Sequence, residues 1–175
     1  MKTTGNDSAG AQSGRNEMDS RGMRIAIVQS TYHNDVCSAL ALGAVDAFAS
    51  AGGDTDELIQ VLAPGAYELV AISVALAERS DIDAVVALGC VLTGETSHDR
   101  YICDAVAKGL VDITVRTGKP IAFGVLTCLT IGQAQARAGG SKGNKGVEAM
   151  NAAIAAVRVI QEIKSGSRTH VGARR

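Results

Sequence analysis

A loop rich in hydroxyl groups and ending in a histidine is the part of the sequence best suited to chemistry. Residues 92–98 read LTGETSH, so a glycine and three hydroxyl side chains precede His98. Backbone N–H groups at a helix start attract phosphate, and Thr96 and Ser97 can add hydroxyl donors. An imidazole exchanges protons near neutral pH. The loop predicts phosphate binding with proton transfer, although an ordinary helix cap with an exposed histidine would show the same pattern.

A cationic, glycine-rich segment at 137–146 is the second candidate. It contains Arg137, Lys142 and Lys145 together with four glycines, and such a segment can wrap an anion. The residue order of a P-loop is absent, and the segment follows a predicted helix rather than a strand. A solvated linker between two helices would have the same composition. The segment therefore indicates an anion site only in combination with other features.

Two further loops carry tyrosines next to polar residues. Tyr32 follows the first predicted strand, and Tyr67 and Glu68 lie in the turn PGAYE at 64–68. Core packing would explain both tyrosines, and the helix dipole alone would explain a carboxylate in a first helical turn. The four cysteines form no CxxC pair and the three histidines stand far apart, so we expect neither a metal site nor a disulfide framework.

The elements that must position these loops alternate between strands and helices. Short apolar runs without strict alternation indicate strands covered on both faces. Thr130 and Gln133 predict a capping box for a short helix that ends near Gly139. The predicted strands cover 24–30, 58–63, 83–91 and 121–127, and the predicted helices about 36–51, 66–79, 98–117, 130–139 and 146–163. The order βαβαβαβαα predicts an α/β fold, a three-layer αβα sandwich around a four-stranded parallel sheet. Ligands of such sheets bind beyond the carboxyl ends of the strands, where most of the candidate loops lie.

Composition bounds the remaining possibilities. The 175 residues include 17 Lys and Arg against 18 Asp and Glu, a balance that does not favour nucleic acid or an anionic membrane as partner. No apolar stretch approaches the roughly 20 residues that span a bilayer. No secretory signal is recognisable at the start, so we expect a cytoplasmic protein. We expect one domain at 23–163, between flexible tails at 1–22 and 164–175.

Four motifs, taken in order, resemble the 6,7-dimethyl-8-ribityllumazine synthase family: PGAYE at 64–68, LGCVLTGETSH at 88–98, FGVLT at 123–127 and RAGGSKGNKGVE at 137–148. The resemblance implies a condensation of 5-amino-6-(D-ribitylamino)uracil with 3,4-dihydroxy-2-butanone 4-phosphate. Phosphate and water leave in this penultimate step of riboflavin biosynthesis. The resemblance also implies a flavodoxin-like fold, no metal or organic cofactor, and a homopentamer that can extend to a decamer or a sixty-subunit icosahedral shell.

The resemblance further implies roles for individual residues. His98 matches the catalytic histidine of the family, a general acid or base, and Arg137 matches the arginine that binds phosphate. Thr96, with the backbone around Glu95, would complete the phosphate site. The other implied substrate contacts surround the pyrimidine ring and the ribityl chain: Tyr32, Ala66, Tyr67, Glu68, Cys90, Val91, Leu92, Lys145, Glu148 and, from a neighbouring subunit, Phe123.

The sequence departs from the family pattern at a few of these positions. Many members have phenylalanine where this chain has Tyr32 and Tyr67, so each hydroxyl needs a partner or water if it is buried. Glu95 stands where a small residue is common. Because a carboxylate beside a phosphate is unfavourable, we expect the Glu95 side chain to point away from the ligand.

Two other functions stay open on the sequence alone. A flavodoxin-like carrier of a flavin or nucleotide would have the same fold, and the loop 93–97 could hold its phosphate. Such a carrier has no use for His98, Arg137 and Lys145 around one pocket. A scaffold protein whose chemistry has decayed would also keep the fold, and the intact set of reactive residues argues against it.

Overall fold

The computed structural model of the protein describes residues 18–166 and places strands and helices in alternation along the chain. The strands are β1 Ile25–Ser30, β2 Ile59–Ala63, β3 Ala84–Leu92, β4 Ile121–Cys128 and the short β5 Ala138–Gly140 and β6 Gly143–Asn144. The helices are α1 Asn34–Ser50, α2 Leu69–Ala77, α3 His98–Thr117, α4 Ile131–Arg137 and α5 Lys145–Lys164, with a 3₁₀ turn at Thr55–Glu57.

The four long strands form one parallel sheet in the order β2-β1-β3-β4. The chain moves outward from β1 to β2 and then crosses back to place β3 on the other side of β1. The loops after β1 and β3 therefore diverge and leave a crevice at the carboxyl ends of the strands. This topology confirms the α/β prediction.

Two apolar clusters sandwich the sheet. Along β3, Val86 and Leu88 join the cluster formed with α1 and α5, whereas Val85 and Ala87 join the cluster formed with α2 and α3. Because β3 is covered on both faces, it carries no polar alternation, as the sequence pattern predicted. The helices thus occupy both sides, which confirms the three-layer αβα arrangement.

A tight joint connects the start of α5 to α1. The Asn144 side chain donates to the carbonyl oxygen of Ala39 at 2.8 Å and accepts from the N–H of Gly146 at 2.8 Å. A methyl group on Gly43 would collide with the Asn144 side chain, and one on Gly146 would collide with the carbonyl of Leu40. The two glycines let the helices approach closely enough for this amide to bridge them.

Two element boundaries differ from the sequence prediction. The second helix begins at Leu69 instead of about Ala66. The preceding turn is closed by hydrogen bonds that span three residues instead of the four of an α-helix, such as Leu69 N–H to the Ala66 carbonyl at 3.3 Å. Residues 138–144, predicted as a helix end and a linker, form the β5–β6 hairpin. Gly139 (φ 104°) and Gly143 (φ 76°) adopt left-handed conformations there that favour glycine.

The predicted capping box is present in a modified form. The Thr130 hydroxyl accepts from the N–H of Gln133 at 3.3 Å, as the motif requires. The Gln133 side chain accepts in return from the N–H of Leu129 at 3.0 Å, one residue earlier than predicted.

The amino-terminal boundary shows contacts where a tail was expected. Ser20 is fully buried, its hydroxyl donates to the Phe48 carbonyl at 3.0 Å, and its N–H donates to the Ala51 carbonyl at 2.9 Å. The rest of the two predicted tails, 1–17 and 167–175, lies outside the described residues. Between residues 18 and 166, no helix has the length and apolar character needed to cross a membrane.

Candidate functional site

Three loops at the carboxyl ends of β1, β2 and β3, together with the first turns of α3, enclose a cavity of about 850 Å³, here called the first groove. It lies where the strand order reverses, as expected for a ligand site in an open parallel sheet. Its lining consists of Tyr32, His33, Gly65, Ala66, Tyr67, Glu68, Cys90, Val91, Leu92, Thr93, Gly94, Thr96, His98, Asp99, Tyr101 and Ile102.

Aromatic side chains stand at the mouth of the first groove. Tyr32 is 66% exposed and Tyr67 is 61% exposed, although large apolar surfaces normally avoid water. The Tyr32 ring contacts the His33 ring edge to face, with centroids 4.7 Å apart. His33 has a φ of 55°, the only positive φ outside glycine among the described residues. Exposed, loop-borne aromatic rings are suited to stacking on a flat heterocycle.

The start of α3 faces the same groove with hydrogen-bond donors and an imidazole. His98 is the first residue of this 20-residue helix, and no side chain bonds to the helix start from the capping position Ser97. The backbone N–H of His98 points toward the Thr96 hydroxyl at 3.5 Å, a long and weak contact. The remaining N–H groups of the first turn and the positive end of the helix dipole favour an anion here.

A second cavity of about 390 Å³ lies along the open edge of β4, between α4 and α5, and is here called the second groove. Phe123 contributes a ring that is 46% exposed. Its lining consists of Phe123, Gly124, Val125, Leu126, Thr127, Cys128, Gln133, Arg137, Lys145, Glu148, Ala149 and Ala152.

Cationic side chains dominate the electrostatics of the second groove. Lys145 is paired with the Glu148 carboxylate, with Nζ 2.6 and 2.8 Å from the two oxygens. Arg137, the last residue of α4, donates from Nη1 to the Gln133 carbonyl at 3.0 Å. A guanidinium carries five N–H donors, so this bond holds the group in place and leaves paired N–H donors that can bind an anion. Among the described lining residues, Arg137 supplies the charge that no carboxylate balances.

Within one chain, the predicted site residues are distributed between the two grooves. His98 lies in the first groove with eight of the implied substrate contacts: Tyr32, Ala66, Tyr67, Glu68, Cys90, Val91, Leu92 and Thr96. Four others lie in the second groove: Phe123, Arg137, Lys145 and Glu148. Glu95 is exposed and lines neither groove. The fold therefore does not bring His98 and Arg137 into a single cavity of one chain.

Sequence reasoning missed several lining residues of the first groove. Tyr101 and Ile102 follow His98 by three and four positions, the spacing that places side chains on one helix face, so periodicity could have found them. His33 is adjacent to Tyr32, but its left-handed backbone conformation gives no signal in the sequence.

The buried cysteines near the grooves are unreactive in character. Cys90 lines the first groove but is only 1% exposed, and burial raises its pKa to about 11, with a smaller contribution from Cys128. Burial likewise raises the pKa of Cys37 to about 12. A thiol nucleophile must ionise, so both Cys37 and Cys90 stay neutral and unreactive at neutral pH. Within residues 18–166, no three His, Cys, Asp or Glu side chains gather at a distance suited to a metal ion.

Comparison with known proteins gives a consistent assignment. A sequence profile described as 6,7-dimethyl-8-ribityllumazine synthase matches residues 22–161. A protein of that name from Thermus thermophilus is 44% identical over 146 residues, covering 83% of this chain and 93% of the relative. Relatives with the same name come from Porphyromonas gingivalis (41% identical, covering 75% of this chain and 82% of the relative) and Rhodopirellula baltica (38%, covering 78% and 88%).

A comparison of folds adds no functional information. A solved dinucleotide-forming acetyl-coenzyme A synthetase 1 from Ca. Korarchaeum cryptofilum superimposes with a TM-score of 0.46 at 16% identity, covering 88% of this chain and 36% of that one.

Proposed function

Because the chain belongs to the 6,7-dimethyl-8-ribityllumazine synthase family, we propose that it forms 6,7-dimethyl-8-ribityllumazine at sites where the first groove of one copy meets the second groove of another. The family reaction condenses 5-amino-6-(D-ribitylamino)uracil with 3,4-dihydroxy-2-butanone 4-phosphate and releases phosphate and water. The enzyme is a transferase of riboflavin biosynthesis. The two grooves contribute different parts of the binding site for these two substrates.

The first groove suits the ribitylaminouracil. The exposed Tyr32 ring can stack on the pyrimidine, which is flat and polar at its edges. From the loop after β2, Ala66 and Tyr67 border the ribityl chain, and the Glu68 carboxylate can accept hydrogen bonds from its hydroxyls. Val91 and Leu92, at the end of β3, provide apolar and backbone contacts to the ring.

Two anion-binding features, one from each groove, converge on the phosphate in the assembled site. The first turn of α3, with Thr96, provides N–H and hydroxyl donors from one copy. Arg137 provides a guanidinium fork from the other copy, with a geometry that matches two phosphate oxygens at once. Lys145, paired with Glu148, lies in the same groove and places an ammonium donor beside the reacting groups.

His98 is the proton-transfer group in this scheme. The amine of the ribitylaminouracil attacks the ketone and a first water leaves, then phosphate leaves, and the second amine closes the ring on the remaining carbonyl with loss of a second water. Each of these steps moves protons, and an exposed imidazole next to the phosphate site can give and accept them. Most of the remaining acceleration comes from holding both substrates together.

The complementarity of the two grooves is the observation that best supports a site shared between subunits. Among the described residues, the first groove contains imidazoles and carboxylates but no lysine or arginine, and the second contains Arg137 and Lys145 but no histidine. Rings of identical chains with head-to-tail contacts join such halves at every interface. This complementarity supports a closed ring, and we infer a homopentamer because the family resemblance implies five copies, with the decamer and the sixty-subunit shell as larger assemblies of it.

Two experiments test the proposal. Purified protein mixed with both substrates should produce the optical signal of the lumazine, whereas tight flavin binding without turnover would favour the carrier hypothesis. Arg137→Ala and Tyr32→Ala chains, each of low activity at subsaturating substrate, should regain activity when unfolded and refolded together, because about one site in four then has both intact halves. Lack of recovery in a mixture that forms rings by light scattering would exclude the shared site.

A further inference from the structure

The loop that carries Tyr32 is held by an unusual number of side-chain hydrogen bonds for an exposed turn. The Tyr32 N–H donates to the Ser30 hydroxyl at 3.2 Å, and Ser30 is fully buried at the end of β1. The Tyr32 carbonyl accepts from the thiol of Cys37, one turn into α1, at 3.3 Å. Both peptide groups of Tyr32 are therefore fixed, while its ring is largely exposed and packs edge to face against His33.

Thr31 connects this turn to the turn at 64–68, which also lines the first groove. Its N–H donates to the Ala63 carbonyl at 2.8 Å, which continues the β1–β2 pairing by one residue. Its hydroxyl donates to the Pro64 carbonyl at 3.1 Å. Pro64 begins the turn that carries Tyr67, so one side chain links the two loops that bring Tyr32 and Tyr67 to the first groove.

Cys37 is a suitable donor because of its surroundings. It is fully buried on α1, and its burial raises its pKa to about 12, so the thiol keeps its proton throughout the neutral range. Its N–H also donates to the His33 carbonyl at 3.1 Å. Cys37 thus ties the first turn of α1 to the carbonyl groups of both Tyr32 and His33.

We propose that Thr31 and Cys37 are positioning residues for the pyrimidine substrate: Thr31 sets the separation of the two tyrosine-bearing loops, and Cys37 fixes the peptide that orients Tyr32. The inference rests on the proposed function, because it assumes that Tyr32 stacks on the ribitylaminouracil. A platform fixed before binding loses less conformational entropy when the ring arrives. The expected consequence is an effect on the affinity for one substrate only.

The test compares four variants with steady-state kinetics. Thr31→Val and Cys37→Ala each remove one hydrogen bond, which should raise KM for the ribitylaminouracil by roughly 3- to 10-fold and leave kcat and KM for the phosphorylated substrate unchanged. Thr31→Ser and Cys37→Ser keep a donor and should restore most of the loss. Thr114→Val is the matched control, because it removes a similar bond to the Leu110 carbonyl at the far end of α3.

A double-mutant cycle separates positioning from a general structural role. In a Tyr32→Ala background, Cys37→Ala should add no further increase in KM, since the ring that it orients is gone, and Thr31→Val should add less than it does in the wild type, since only the loop of Tyr67 is left to displace. Additive effects, or equal changes in KM for both substrates, would overturn the inference. If Cys37→Ala folds poorly, the Thr31 pair decides the matter. A wild-type protein that forms no lumazine would remove the proposed function, and the inference with it.

Discussion

Replacing Arg137 with alanine tests the assignment of the phosphate site most directly. The guanidinium is anchored to the Gln133 carbonyl and lines the second groove, so the substitution removes the fork without exposing a buried polar partner. Hydrogen bonds to charged groups contribute about 1.5–3 kcal/mol each. Loss of one such contact should raise KM for 3,4-dihydroxy-2-butanone 4-phosphate by roughly 10- to 150-fold.

The assay varies each substrate in turn and follows lumazine formation. KM for the ribitylaminouracil should change less than about 2-fold, because the first groove is untouched. Inhibition by inorganic phosphate should weaken in parallel with the phosphorylated substrate. Arg137→Lys should recover only part of the loss, since a lysine is a point charge without the two parallel donors.

Lys142→Ala provides the matched control for charge. Lys142 lies in the β5–β6 turn of the same cationic segment but lines neither groove, so its removal should leave both KM values nearly unchanged. Equal losses for both substrates in Arg137→Ala would refute the phosphate assignment. An effect of Lys142→Ala as large as that of Arg137→Ala would show that long-range charge, and not contact, is responsible.

Three further outcomes are expected from the same features. His98→Ala should lower kcat by about 10²-fold with the oligomer intact, and an unchanged kcat would remove His98 from the mechanism. Gly146→Ala forces a methyl into the α1 backbone and should cost at least about 2 kcal/mol in urea unfolding, whereas Gly132→Ala, in open space on α4, should be neutral or stabilising. Burial raises the thiol pKa values of Cys37 and Cys90 to about 12 and 11, so the unfolded chain loses these protons first. The free energy of unfolding should therefore fall as pH rises from about 8.5 toward 11, more steeply in the wild type than in Cys37→Ala, and equal slopes would contradict the assignment.

Features with local causes could be predicted from the sequence. The burial of β3 on both faces follows from its run of apolar residues, and the Thr130 cap follows from one hydroxyl at the right spacing. The loops at the carboxyl ends of the strands follow from the strand order in the chain. These properties depend on neighbours within a few positions, which a sequence displays directly.

Other features depend on contacts between distant residues and could not be predicted. The turn of the β5–β6 hairpin is held against α4 by the Lys142 N–H, which donates to the Ala136 carbonyl at 2.8 Å, a contact that the glycine-rich composition does not reveal. Ser20 is buried because the end of α1 offers carbonyl groups to it. The separation of Phe123 and Arg137 from His98 follows from the position of β4 at the sheet edge, which only the assembled topology defines.

The arrangement of aromatic residues around the first groove gives the protein a built-in reporter. The sequence contains three tyrosines and no tryptophan, and Tyr32, Tyr67 and Tyr101 all line that groove. Intrinsic ultraviolet emission of this chain therefore originates from the groove itself, with no background from the core. A bound heterocycle that absorbs in the tyrosine emission range will quench nearly the whole signal, so occupancy can be followed without a label.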